Sequence, residues 1–290
     1  MSAWPSHRSP LRRVLSEGDV THHGYLDESY PTTGRFRSVA MVSVKAGMQP
    51  AVESAFGGVI QRRLNGDEAR WEKVRGERRA TCACDLLEAA FVLGDRCMLR
   101  IDVLYWDIFD RYHSVQNLDH VKNINRMASR LLKRVCLNRY QGSAAWLVRP
   151  DDGSIVNWRV AVSDTEDNLI QPRRNGSAAI KGVLLDEVDS ASYALVQVAD
   201  MFAGIATFTA NEADLVVTNP LPPLGSLSWS KRYRLPIIER LLVLAKERGH
   251  RTSVRHGTGL STSNPAAPIN FWPFRTPRGE GVAPRRLPVL

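Results

Sequence analysis

A chain of 290 residues can bury a large core as one elaborated domain or two small ones. Its 43% hydrophobic and 24% charged content is that of an ordinary soluble globular protein, which excludes a fibrous or largely disordered chain. With 39 basic residues against 30 acidic ones the net charge is +9, a balance that favours an anionic partner such as nucleic acid and says nothing about fold.

Residues 1–20 are polar, basic and proline-containing, and are expected as a loose arm; they hold no continuous apolar run of the kind a secretory signal needs. The stretches "GYLDES" and "FRSVAMVSVK" predict two strands, the second rich in β-branched residues. "QPAVESAFGGVIQRRL" predicts a helix, and "RWEKVRGERRATCACDLLEAAFVLG" a second one ending at Gly94. "RCMLRIDVLYWDIF" reads as a largely buried central strand, with Leu99, Ile101 and Val103 on one face and Met98, Arg100 and Asp102 on the other. "DHVKNINRMASRLLKRVCLNRY" predicts an amphipathic helix. Ile124, Met127, Leu131, Leu132 and Val135 keep helical spacing, while Lys122, Arg126, Arg130, Lys133, Arg134 and Arg139 add a basic face suited to a phosphate backbone.

"AAWLVRP" and "SIVNWRVAV" on either side of Asp151-Asp152-Gly153 predict a β-hairpin, because Val156, Trp158, Val160 and Val162 alternate with Asn157, Arg159 and Ala161. After a polar loop, "IKGVLLDEV" predicts a strand and "ASYALVQVADMFAGIATFTA" a strongly apolar helix. "RYRLPIIERLLVLAKERG" predicts one more amphipathic helix. The remainder is rich in Pro, Gly, Ser and Arg, with few apolar anchors except "INFWPF"; residues 276–290 are expected to be held loosely. Cys82, Cys84, Cys97 and Cys136 form no CxxC pair and have no His placed to complete a zinc site, so free thiols in a reducing cytoplasm are expected. No apolar run approaches the ~20 residues that span a bilayer, so no membrane partner is expected.

Strands alternating with helices after an initial antiparallel pair predict an α/β fold whose mixed sheet is covered on both faces. Neither GxGxxG nor GxxxxGK[ST] is present, which weighs against a nucleotide-binding fold. Four places put carboxylates where a core should be. Asp27 and Glu28 interrupt the first strand; either the strand ends at Leu26 and they open a turn, or Asp27 serves a cation and Glu28, pointing the other way, does not. Asp102 lies inside "LRIDVLYW", where pairing with an arginine is the plainer fate. Asp151 and Asp152 fall where a tight turn prefers such residues. Asp200 carries the strongest signal. It shares a helix face with Gln197 while every other face is apolar, and its mid-helix position excludes capping. Acids gathered from separate elements cannot all stay ionised without cations between them, and Mg²⁺ or Mn²⁺ take oxygen ligands.

In this order, the motifs resemble the family filed as domain of unknown function 3800, whose members have a ribonuclease H-like fold. The resemblance runs over residues 24–210. It rests on "YLDES", on "EARWEKV" against a Glu-x-Lys-Trp element, on "DHVKNINRM", on "WLVRPDDGSIVNW" and on "DSASYALVQVADMFAG". It implies a divalent-metal phosphodiesterase site, with two ions, made by Asp27, Glu68, Asp151 and Asp200. Glu28, Asp102, Asp152 and Arg70 stand in a second tier. Arg70 replaces the family's Lys, a planar fork in place of a compact ammonium. The domain division expected is an arm at 1–20, a ribonuclease H-like domain at 21–215, and a C-terminal helix with an extended tail at 216–290. Two functions are then open: a metal-dependent nuclease, or a catalytically silent nucleic-acid-binding subunit of a larger complex. A protein partner or homo-oligomer is compatible with either. A pure protein-interaction module would leave the buried acids without purpose.

Overall fold

β1 (His22–Ser29) and β2 (Phe36–Lys45) pair antiparallel, and β3 (Leu99–Asp107) runs antiparallel along the far side of β2. β4 (Ala145–Pro150) joins β1 in parallel and β5 (Gly182–Leu185) joins β4 in parallel. Near the C-terminus β6 (Thr252–Arg255) and β7 (Gly259–Thr262) form a separate hairpin before β8 (Ile269–Pro273) pairs in parallel with β3. The sheet order is β5-β4-β1-β2-β3-β8, so β1 and β2 lie at its centre. The structure, a computed structural model, describes residues 15–31, 33–110, 120–138, 144–169, 181–217 and 227–274. Expectations for the arm at 1–14, the basic Arg139, and residues 275–290 lie outside that set.

The central strands are buried on both faces, and two apolar layers follow from the period-two alternation of their side chains. Tyr25 belongs to one layer, with side chains of α1 (Gln49–Leu64), α2 (Glu77–Asp95) and later helices α5 (Ala194–Asn211) and α7 (Trp229–Glu247). Leu26 belongs to the other, with α3 (His120–Asn138) and α4 (Trp158–Leu169). A short helix, α6 (Ala213–Val217), follows α5. The protein is therefore a mixed α/β structure with a central mixed sheet flanked by helices. No helix among the described residues is long and apolar enough to cross a membrane.

Four expectations need correction. The predicted hairpin is absent: β4 pairs with β1 and β5, and the second arm is α4. Trp158, Ala161, Val162 and Thr165 are buried while Val160 is 46% exposed, a helical rhythm that the Val-Trp-Val-Val alternation disguised. The start signal was Asn157, whose Oδ1 accepts from Val160 N at 3.1 Å as an N-cap does. The predicted helix over 70–94 is broken: Trp71–Lys73 make a single 3-10 turn, and Gly76, extended at φ −163°, precedes α2. β3 is interior but not central, lying next to the edge strand β8. Lastly, the expected extended tail carries three strands, and its anchors Ile269 and Phe271 are buried against the sheet.

Candidate functional site: an acidic cleft

The parallel pairing of β1 with β4 matches Leu26 to Pro150, and Asp151 N continues the ladder by donating to Leu26 O at 3.1 Å. Asp27 and Asp151 are thus neighbours just beyond that register, about 5 Å apart as adjacent strands are. Asp27 shares the Tyr25 face, which α5 covers. Every residue of α5 from Ala194 to Ala210 is buried except Asp200, which opens onto a cleft of about 540 Å³. Asp27, Glu68, Asp151 and Asp200 all line that cleft.

The electrostatics follow from this crowding. Burial, then the charges of Asp200, Glu28 and Asp151, push the Asp27 carboxyl well above the usual carboxylate range. Burial pushes Asp200 up to about 7, against the opposing pull of the Trp71 N–H and Arg70. Trp71 N donates to Asp200 Oδ2 at 2.6 Å, and the main chain of Glu28 donates to Asp27 Oδ1 at 2.7 Å. Asp151 Oδ1 accepts from Ser190 N at 3.2 Å.

Glu68 behaves differently. Burial raises its pKa, but Arg70, Ser190 and Lys73 outweigh that and hold it below the usual value. Arg70 Nε lies 2.5 Å from Glu68 Oε1, Ser190 Oγ donates to the same oxygen at 2.6 Å, and Lys73 Nζ stands 3.7 Å from Oε2. Gln197, one turn before Asp200, ties the two sides together. Its Oε1 accepts from Ala69 N at 2.7 Å and its Nε2 donates to Ser190 O at 2.9 Å.

The second-tier residues part company. Glu28 also lines the cleft and its charge reaches Asp27, but its carboxylate is engaged by the loop after β4. It accepts from Ser154 Oγ at 2.5 Å and Ile155 N at 2.9 Å, bracing that loop. Asp102 does not reach the cleft: it is fully buried, gripped by Arg100 at 2.7 and 3.0 Å and by Asn270 Nδ2 at 3.0 Å, its register partner on β8. It is a structural acid. Asp152 is exposed beside the cleft's acids and does not line it. On α3, Lys122, Arg126, Arg130 and Arg134 are exposed and Lys133 is partly so; Arg130 stacks over Phe274 at 4.5 Å and Arg134 over Trp272 at 4.2 Å. Sequence reasoning missed the roles of Trp71 and Arg234 in the cleft wall, for their partners are distant in the chain and no spacing links them.

The donor set is all oxygen and mutually repelling, which suits a hard divalent cation. Asp27, Asp151 and Asp200 would supply its ligands, with Glu68 available once Arg70 releases it. As placed, however, no three His, Cys, Asp or Glu side chains among the described residues converge closely enough to hold an ion. The expected convergence within one ion's reach is met only as far as a shared cleft and mutual repulsion.

No family model matches the chain. Two proteins of Methanothermobacter thermautotrophicus, named uncharacterized protein ORF2 and ORF2′, are each 29% identical to it over 283 residues, covering 91% of this chain and 97% of the relative. Among solved structures, the PCNA:RNase HII complex from Archaeoglobus fulgidus overlaps 88% of this chain and 96% of that one, at 13% identity and a TM-score of 0.41.

Proposed function

We propose that the chain is a ribonuclease H-like nuclease of the domain of unknown function 3800 family, hydrolysing phosphodiester bonds with divalent metal at the acidic cleft. The observation that carries this reading is the placement of Asp27 and Asp200. Two carboxylates from the central strand and the most buried helix are forced together, with Asp151 beside them, against their own repulsion. Such an arrangement costs stability, and a bound cation offsets that cost. When bound, Mg²⁺ or Mn²⁺ would supply an activated water and charge stabilisation at the leaving oxygen.

The chain's own residues do the rest. Asp27, Asp151 and Asp200 hold the charge, and the Trp71 N–H and Ser190 N–H fix the orientation of two of them. Arg70 and Lys73 are paired with Glu68 here, and would be available to the substrate's phosphate were Glu68 to serve a metal. The basic face of α3 adds attraction for the strand.

That same Arg70–Glu68 pair favours a second reading, a silent nucleic-acid-binding protein in which Glu68 never leaves its cations. The two separate cleanly. Purified protein is incubated with labelled single- and double-stranded DNA and RNA in Mg²⁺, Mn²⁺ or EDTA, beside Asp200→Asn. Cleavage that needs metal and Asp200 supports the nuclease; binding with no metal-dependent cleavage of any substrate supports the silent protein.

A further inference from the structure

The cleft is not acidic throughout. Lys231 and Arg234, three residues apart and so on one face of α7, line the same space as the carboxylates. Lys231 is committed to Glu212, at 2.7 Å. Arg234 is not committed to an acid: among the described residues no carboxylate lies within ion-pair distance of it. Its Nη2 donates to the carbonyls of Trp71 and Glu72 at 3.0 and 3.1 Å. The guanidinium rests against the rings of Trp71 at 5.1 Å and Phe208 at 5.9 Å. Its Nε is buried with no partner among the described residues.

Several other arginines on the same side of the sheet pair with acids, although Arg75 and Arg78 also donate to carbonyls. Arg63, Arg240 and Arg248 each meet a carboxylate directly. Two carbonyls and two rings fix the orientation of the Arg234 fork, while the charges of Asp200 and Glu72 reach it only from beyond ion-pair distance. An oriented, recessed guanidinium of this kind is matched by the oxygens of a phosphate, which it takes in a charge-assisted, two-point contact.

We propose that Arg234 binds a backbone phosphate of the substrate next to the one presented to the carboxylates. The substrate class is then a polynucleotide strand that engages two phosphates at once, and not a mononucleotide. This rests on the nuclease reading and extends it along the strand. Arg234 is a substrate-positioning residue of the cleft and not a brace for the Trp71 turn alone.

The test is binding without turnover. A labelled single-stranded oligonucleotide is titrated by anisotropy at several salt concentrations in EDTA. The proteins are the Asp200→Asn variant, the same variant carrying Arg234→Gln, and the same carrying Arg234→Lys. Neutralising one phosphate on a single strand contributes about 0.7 to the slope of log affinity against log salt. Arg234→Gln is expected to lower the slope by that amount and to weaken binding several-fold at low salt, while Arg234→Lys keeps the slope. A slope unchanged in Arg234→Gln overturns the proposal even if that variant melts earlier, because a brace affects stability and not counterion release. Should Arg234→Gln fail to fold, Arg234→Met, which keeps packing against both rings, is read the same way. Protein that binds and, with Asp200 restored, cleaves, but shows that unchanged slope, refutes only this step. Wild-type protein that neither binds nor cleaves refutes the nuclease reading as well.

Discussion

Asp200→Asn separates a metal site from a structural salt bridge. The ordinary carboxyl value is 3.8 and burial lifts Asp200 to about 7. A folded-state pKa above the unfolded one means that the folded protein binds more protons between those values. Stability therefore falls as pH rises from about 4 to about 7, and the full cost is present above that. A shift of about 3 units at 1.36 kcal/mol each sets a ceiling near 4 kcal/mol. Because Asp27 and Asp200 share the strain, and Asn Oδ1 can still accept the Trp71 N–H, roughly 1–3 kcal/mol is the gain expected in metal-free protein at pH 8. At about 2–4 °C per kcal/mol, the variant should melt roughly 2–12 °C above wild type in EDTA at pH 8. The gain should vanish near pH 4. Mg²⁺ should raise the wild-type melting temperature and leave the variant's unchanged. Scanning calorimetry at pH 8 and pH 4, with and without Mg²⁺, reads all of this. A variant that melts well below wild type at both pH values would refute the reasoning, since it would show the Asp200 carboxylate to be a needed structural partner.

Asp102→Ala should lower stability by roughly 3–5 kcal/mol in urea unfolding, because it strands Arg100 and Asn270 without their buried acid; it should leave metal binding alone. Gly204→Ala, one turn after Asp200, puts a β-carbon into the Trp71 indole, and rigid overpacking of this kind typically costs about 1–3 kcal/mol. Its metal affinity should fall with the displaced Trp71 N–H, as titration of the folded variant can read. Arg70→Ala should free Glu68, raising the pH at which it titrates and tightening metal binding while slowing any cleavage; weaker metal binding would count against the exchange of Glu68 between Arg70 and ion. Lys122 and Arg126 changed together to Gln should weaken nucleic-acid affinity at low salt and flatten its salt dependence; an unchanged salt slope would remove α3 from the interface.

How much of this the sequence carries depends on the range of the forces involved. β2 and α1 fall where local pattern puts them, residues 36–45 and 49–64, since a β-branched run and an apolar-spaced run with Pro at its start are short-range signals. α4 was mistaken because Val156, Trp158, Val160 and Val162 alternate by chance, and only the Asn157 cap betrayed the helix. β8 was missed because five residues gain their stability from β3, some 170 positions earlier in the chain, and not from their own composition. The site was partly legible. An aspartate on an otherwise apolar helix is visible in any reading of α5, and its meeting with Asp27 follows once α5 covers the Tyr25 face. Glu68 has no local signature; family resemblance alone singled it out. Arg234 had none either, being one cation of an amphipathic helix whose contacts lie 163 residues away.

The central claim is that the crowded acids exist to hold divalent metal. Isothermal titration of Mn²⁺ into wild-type protein, Asp27→Asn and Asp200→Asn at pH 8 tests it without reference to any substrate. The account predicts saturable binding of up to two ions by wild type, competed by Mg²⁺ and lost or reduced by an order of magnitude or more in both variants. Wild-type protein that takes up no Mn²⁺, or binding that survives both substitutions, would contradict it.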